Sequence, residues 1–144
     1  MPVHIEVSQV IGRPLEKVFH FIVHEHVRNH PRWDPDIELE QLSEGPIGMG
    51  TLIRRTNVRS GTPVEGSMQV VEFEEKQAFA TLIHDGPVEM LGRISFEELG
   101  DNQTRVTTSV DFPGLDETKI DRNFMLSRLE RSQQNRKQLI ESEL

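Results

Sequence analysis

The longest run of this chain free of glycine and proline is its last, and Asp116 to Glu143 within it reads as one long helix. The chain before it is cut into short pieces. From Ile37 to Phe112, turns rich in glycine and proline separate segments of alternating apolar and polar residues. That is the pattern of antiparallel strands joined by tight turns. A sheet of that extent has an apolar face to bury, and the terminal run is the segment long enough to cover it as a helix. The expected architecture is therefore α+β: a curved sheet gripping a long C-terminal helix, with a space between them.

The earlier part of the chain fits this plan. Val3, Ile5 and Val7 alternate with His4, Glu6 and Ser8, which predicts a half-buried strand from Val3 to Val10. Pro14 then opens a helix, a position where its missing N–H costs nothing, and Leu15, Val18, Phe19 and Ile22 recur at helical spacing through about Val23. A second short helix is expected from His26 to His30, stopped by Pro31. Strands follow at Ile37–Gln41, Thr51–Arg59, Val64–Glu74, Ala78–His84, Val88–Leu99 and Thr104–Phe112, making seven in all. The whole reads as one domain, residues 1 to 144.

The terminal helix carries two offset apolar sets. Met125, Leu126, Leu129 and Ile140 share one side, with Gln133 and Arg136 between them, whereas Ile120 and Phe124 fall nearly opposite. One straight helix cannot bury both sets on one sheet. Leu115 to Phe124 is therefore expected to be a lid-like or offset first segment, with the alternative that Phe124 packs on the short helices. Gln133 and Arg136, polar residues on the packing face, are the first place to look for ligand-orienting groups.

Several ordered segments resemble the START-like (SRPBCC) superfamily, in its polyketide cyclase/dehydrase-type branch. They are Pro14-Leu15-Glu16-Lys17-Val18-Phe19-His20-Phe21-Ile22, Asn29-His30-Pro31-Arg32-Trp33-Asp34-Pro35, Gly45-Pro46-Ile47-Gly48-Met49-Gly50-Thr51 and Val70-Val71-Glu72-Phe73-Glu74. The terminal helix with Leu126, Leu129 and Ile140 completes the set. The resemblance spans essentially the whole chain. It implies the helix-grip (START/Bet v 1-like) fold: a seven-stranded curved antiparallel sheet wrapped around the C-terminal helix, with two short helices after strand 1. It also implies a deep cavity for hydrophobic ligands. The chain departs from the family in placing Gln133 and Arg136 on a helix face that is usually apolar, and in lacking tyrosine.

Composition removes other classes of function. With no cysteine there is no disulfide framework, thiolate metal site or thiol nucleophile. A net charge of −8 repels phosphate backbones, so nucleic acid is not an expected partner. The amino terminus lacks a basic region followed by an apolar run, and no apolar stretch approaches a membrane span. A cytoplasmic protein without stable membrane insertion is expected. Exposed sheet edges would allow a homodimer.

The candidate ligand-binding residues are Trp33, Met68, Val70, Phe79, Ile83, Met90, Ile94, Phe112, Phe124 and Arg128, with Phe96 and Val110 as further wall residues. Each would otherwise be ordinary core. Weak candidates for acid–base chemistry are His84, Arg54 and Glu65, charged or titratable groups in mid-strand that ordinarily face water. His20/His24 and His26/His30 are i, i+4 pairs, but without an HExxH pattern they read as exposed helix histidines, and no metal or cofactor is expected. Three functions compete: a carrier of a hydrophobic or aromatic small molecule, lipid- or polyketide-like; a cyclase or dehydratase using pocket acids and bases; and a protein-interaction module. A cavity with only apolar walls favours the first. Inward-facing titratable groups favour the second, and a filled core the third.

Overall fold

The computed structural model describes residues 2–58, 61–116, 118 and 121–144. Seven strands form one antiparallel sheet: β1 (Pro2–Ile11), β2 (Ile37–Gln41), β3 (Leu52–Asn57), β4 (Val64–Glu74), β5 (Ala78–Asp85), β6 (Val88–Gly100) and β7 (Gln103–Asp116). Their spatial order is β1-β7-β6-β5-β4-β3-β2. From β2 to β7 this is a meander, and β1 closes on the far side against β7. Between β1 and β2 lie α1 (Leu15–Phe19), a π-helical turn (His20–His24) and α2 (His26–Trp33). The terminal helix α3 spans Arg122–Glu143.

The α1–π–α2 segment fits tightly because its sequence leaves it little polar surface. Val18, Phe19, Phe21, Ile22 and Val23 are all buried, more consecutive apolar positions than one face of a regular α-helix can hide. The wider turn, closed by the Glu25 N–H on the His20 carbonyl, accommodates them. They pack with Ile11, Trp33, Phe79, Phe96, Val106 and Ile140 into the largest core cluster. Phe19 sits edge-on to Phe96 at 4.9 Å. Burying side chains of this size contributes about 1.5–3 kcal/mol each.

Pro31 does not stop α2, as the sequence suggests; the helix runs on to Trp33 with Pro31 inside it. The Asp34 N–H still closes on the His30 carbonyl, and burial of Trp33 in the core outweighs the one backbone bond that proline cannot make.

β4 carries a bulge, seen as a register shift against β5 between Val70 and Glu72. Met68 and Val70 are buried, Val71 is exposed, and Phe73 turns back to meet Phe19 and Phe79.

The terminal run is shorter as a helix than its composition suggests. β7 continues to Asp116, and Leu115 packs with Val3, Ile5 and Phe112. Asp121 caps α3, its carboxylate accepting from the Phe124 N–H at 3.0 Å. Phe124 thus belongs to the first turn of α3, where it is 53% exposed. Of the second apolar set, Phe124 stays on α3 and faces water, and Ile120 lies outside the described residues; Leu115, expected in the same lid-like segment, is on β7. Met125, Leu126 and Leu129 cover β1 and β7, and Ile140 joins the main core.

Candidate ligand cavity

Sheet, α2 and α3 leave a cavity of about 170 Å³ between them, slightly more than the ~150 Å³ of an apolar protein cavity that takes up benzene. Most of its wall is apolar. Met68 comes from β4, Phe79 and Ile83 from β5, Met90 and Ile94 from β6, Val110 and Phe112 from β7, Ile5 from β1, and Met125 and Leu129 from α3. Gly92 adds to the space. A β-carbon there would point at Ile83 and Thr81, at 3.4 and 3.6 Å, so any longer side chain would grow into the cavity.

Of the residues expected at the wall, Trp33, Met68, Phe79, Ile83, Met90, Ile94, Phe112 and Arg128 do line it, as does Val110. Val70 and Phe96 are buried in the main core cluster instead. Phe124 is outside the lining, with the Arg128 guanidinium 5.5 Å from its ring centroid. The acid–base candidates also stand elsewhere. His84 pairs with Glu89 at 3.3 Å, and Arg54 with Glu65 at 3.1 Å, all well exposed to water. Strand alternation explains this: Asp85, Arg55 and Met68 take the inward positions, so His84, Arg54 and Glu65 point out.

Polar groups face inward too; the sequence points to Gln133 and Arg136 among them, but not to Arg55 or His26. Arg55 is buried and donates through Nε to Asp85 Oδ1 at 2.7 Å and through Nη2 to Oδ2 at 3.2 Å. Asn57 Nδ2 adds a third bond to Asp85 at 3.0 Å. Arg55 and Asp85 stand on β3 and β5, opposite the same residue of β4, Gly66. The missing side chain leaves the path between them clear. A β-carbon on Gly66 would fall 1.7 Å from the His84 carbonyl oxygen.

His26 is buried rather than exposed, at 3% accessibility. Its Nδ1 lies 2.8 Å from the Ile22 carbonyl oxygen, which can only accept, so Nδ1 carries the proton. Nε2 then holds a lone pair and finds no partner among the described residues. Desolvation lowers the His26 pKa to about 4; the nearby cations Arg136 and Arg55 push the same way, against the bond to Ile22. The ring is neutral at pH 7. The histidine pairs gather no metal site: His24 bonds Glu75 at 2.9 Å, and no group of three or more His, Asp or Glu suited to a metal occurs among the described residues.

α3 brings the other two groups. Gln133 and Arg136, one turn apart, are each 3% exposed and both line the cavity. Gln133 Nε2 donates to the Val7 carbonyl at 3.3 Å, while its Oε1 has no partner among the described residues. Arg136 donates from Nε and Nη2 to Gln9 Oε1 at 3.2 and 2.9 Å, and from Nη2 to Thr108 Oγ1 at 3.1 Å. Its guanidinium lies 5.7 Å from the Trp33 ring centroid. Gln9 is the inward residue that follows Val3, Ile5 and Val7 along β1, the one sequence sign that this face ends in a polar contact. Desolvation lowers the Arg136 pKa to about 9, leaving it charged at neutral pH.

On the solvent side Arg128 spans from α3 to Asp36, Nη2 to Oδ2 at 2.7 Å. Among the described residues no helix is long and apolar enough to cross a membrane.

A family model described as polyketide cyclase / dehydrase and lipid transport matches residues 2–141. The chain belongs to that family. A comparison with curated proteins found no match. Solved structures share the family's helix-grip fold at low identity. A START superfamily protein from Mycobacterium smegmatis is 15% identical, with a TM-score of 0.77 over 96% of this chain and 97% of that one. The Zhui aromatase/cyclase from Streptomyces sp. R1128 is 17% identical, with a TM-score of 0.70 over 97% and 92%. A Thalictrum flavum norcoclaurine synthase variant, bound to a transition-state analogue, is 14% identical, with a TM-score of 0.74 over 99% and 96%. Family membership and these likenesses account for the sheet wrapped on α3. The inward Arg136, Gln133 and His26 are read from this member's own residues.

Proposed function

We propose that this protein binds a small hydrophobic or aromatic molecule in the cavity between sheet and α3. The observation that carries the reading is the cavity itself: about 170 Å³ walled by Trp33, three methionines, two phenylalanines and aliphatic side chains. An empty apolar space of that size forfeits dispersion contacts, and a ligand restores them. The volume suits a one-ring or small two-ring molecule better than an extended lipid. A filled core, which would have favoured an interaction module, is not what the chain builds.

A second reading, cyclase- or dehydratase-type chemistry, is favoured by the inward His26 and Arg136. Its weakness lies in the pKa of His26. A base with a pKa near 4 is a poor proton acceptor at neutral pH, where efficient general bases sit close to 7. His26 is better suited to accept a hydrogen bond than to carry away a proton, which favours binding.

Trp33 is the only tryptophan and there is no tyrosine, so intrinsic fluorescence reports on the cavity wall directly. Titration with 4-phenylbutan-2-one, a neutral aromatic ketone, is expected to change Trp33 emission saturably. Gly92→Leu, which fills the cavity, is expected to abolish the change while the protein stays folded. A response equally strong in Gly92→Leu would place the ligand elsewhere and sink the proposal.

A further inference from the structure

The cavity holds a buried cation that no carboxylate neutralises. Its other arginines are matched: Arg55 by Asp85, Arg128 by Asp36, and Arg93 by Glu72 at 2.8 Å. Arg136 forms no ion pair among the described residues; its partners are the neutral Gln9, Thr108 and the Trp33 ring. Nη1, with two N–H donors, makes no hydrogen bond there. A guanidinium taken out of water is costly unless a counter-charge meets it, and the depressed pKa of Arg136 records that cost. Beside it stand two unpartnered acceptors, His26 Nε2 and Gln133 Oε1. His26 shares the Trp33 ring with Arg136, its own ring centroid 6.0 Å away, and Gln133 is one helical turn from Arg136. A cation with free donors next to two free acceptors asks for an anion that also carries a hydroxyl.

We infer that the cavity is selective for a small apolar hydroxy acid, its carboxylate on Arg136 and its hydroxyl donating to His26 or Gln133. This rests on the cavity reading above and narrows it to a substrate class. Among the described residues the only acid in the lining is Asp34, half-buried at the end of α2. Asp34 has a partner of its own, and Asp85, Asp36 and Glu72 are engaged with Arg55, Arg128 and Arg93, so the incoming anion is the countercharge that the fold leaves out. The Trp33 ring and methionine walls hold the rest of the molecule.

The test compares three ligands of one shape at pH 7, by calorimetry and Trp33 fluorescence: 4-phenylbutan-2-one (neutral), 3-phenylpropanoate (anionic) and 3-phenyllactate (anionic with a 2-hydroxyl). The propanoate is expected to bind at least about tenfold tighter than the ketone, the scale of one hydrogen bond to a charged group. The lactate is expected to bind several-fold tighter again. Gln9→Glu supplies the missing carboxylate from within; it should erase the preference for the acids and leave ketone binding intact. Arg136→Lys should keep part of the preference and Arg136→Met none. If ketone and propanoate bind wild type equally, the anion inference is overturned while the cavity reading stands. Equal binding of propanoate and lactate overturns the hydroxyl assignment. Binding of none of the three overturns both readings.

Discussion

Arg55 and Asp85 meet across a strand that belongs to neither of them, Nε to Oδ1 at 2.7 Å over Gly66. Removing one partner strands a buried charge. Arg55→Met or Asp85→Asn is expected to cost about 3–5 kcal/mol, and the double variant less than the sum of the two. Urea denaturation of all four proteins gives the coupling directly; additive losses would show that the pair does not act as a unit. Gly66→Ala should cost about 3 kcal/mol or more, because its new carbon meets backbone rather than a side chain that can turn aside.

The buried histidine makes stability depend on acid in a defined window. The folded pKa of His26, about 4, lies below the ordinary 6.5. The unfolded chain therefore binds a proton there that the folded chain refuses. Stability from this group is complete above pH 6.5, falls as pH drops toward 4, and levels off below, for a total of about 3 kcal/mol. His26→Phe should flatten the stability profile over that range. His4 runs the other way: Asp111 holds its pKa up, so its contribution is present below 6.5 and lost as pH rises through the raised value. It is exposed, so salt should suppress the His4 effect and leave that of His26.

Gln9 ties β1 to α3, accepting from Arg136 and donating from Nε2 to the Gln133 carbonyl at 2.9 Å. Gln9→Ala should lose about 1–3 kcal/mol by leaving a buried guanidinium short of an acceptor. Gln9→Glu should lose less, since an ion pair replaces the lost bond. Thermal melts of the two variants side by side decide this; a greater loss in Gln9→Glu would mean that Arg136 gains nothing from a carboxylate.

Phe124 stands mostly in water at the start of α3. Phe124→Ser is expected to change stability by no more than about 0.5 kcal/mol, measured by urea midpoint. A loss of several kcal/mol would mean that this ring packs as a lid after all.

The sheet was readable because turns and alternation are local signals. β4, for example, spans Val64–Glu74 both in pattern and in structure. The polar lining was harder to read, for two reasons. A charged residue in a strand is ordinarily outward, and only strand parity shows otherwise. Arg55 shares its face with Ile53, and Asp85 with Ile83, so the sign was present but indistinguishable from a surface pattern. His26 gave no sign at all: its burial depends on a π-helical turn and on a proline tolerated inside α2, both set by tertiary packing. Gln133 and Arg136 stood out because they interrupt an apolar helix face, a contrast that local sequence does display.

The strand order has a consequence for how the molecule comes together. β1 precedes the other six strands in the chain, yet among the described residues its sheet partner is β7, with Val3 opposite Phe112 and Ile11 opposite Thr104. Contacts that join chain segments so far apart are slow to form. Until β7 emerges, Val3 and Ile5 have no neighbouring strand to pair with, so the cavity's β1 wall is completed among the last steps of folding.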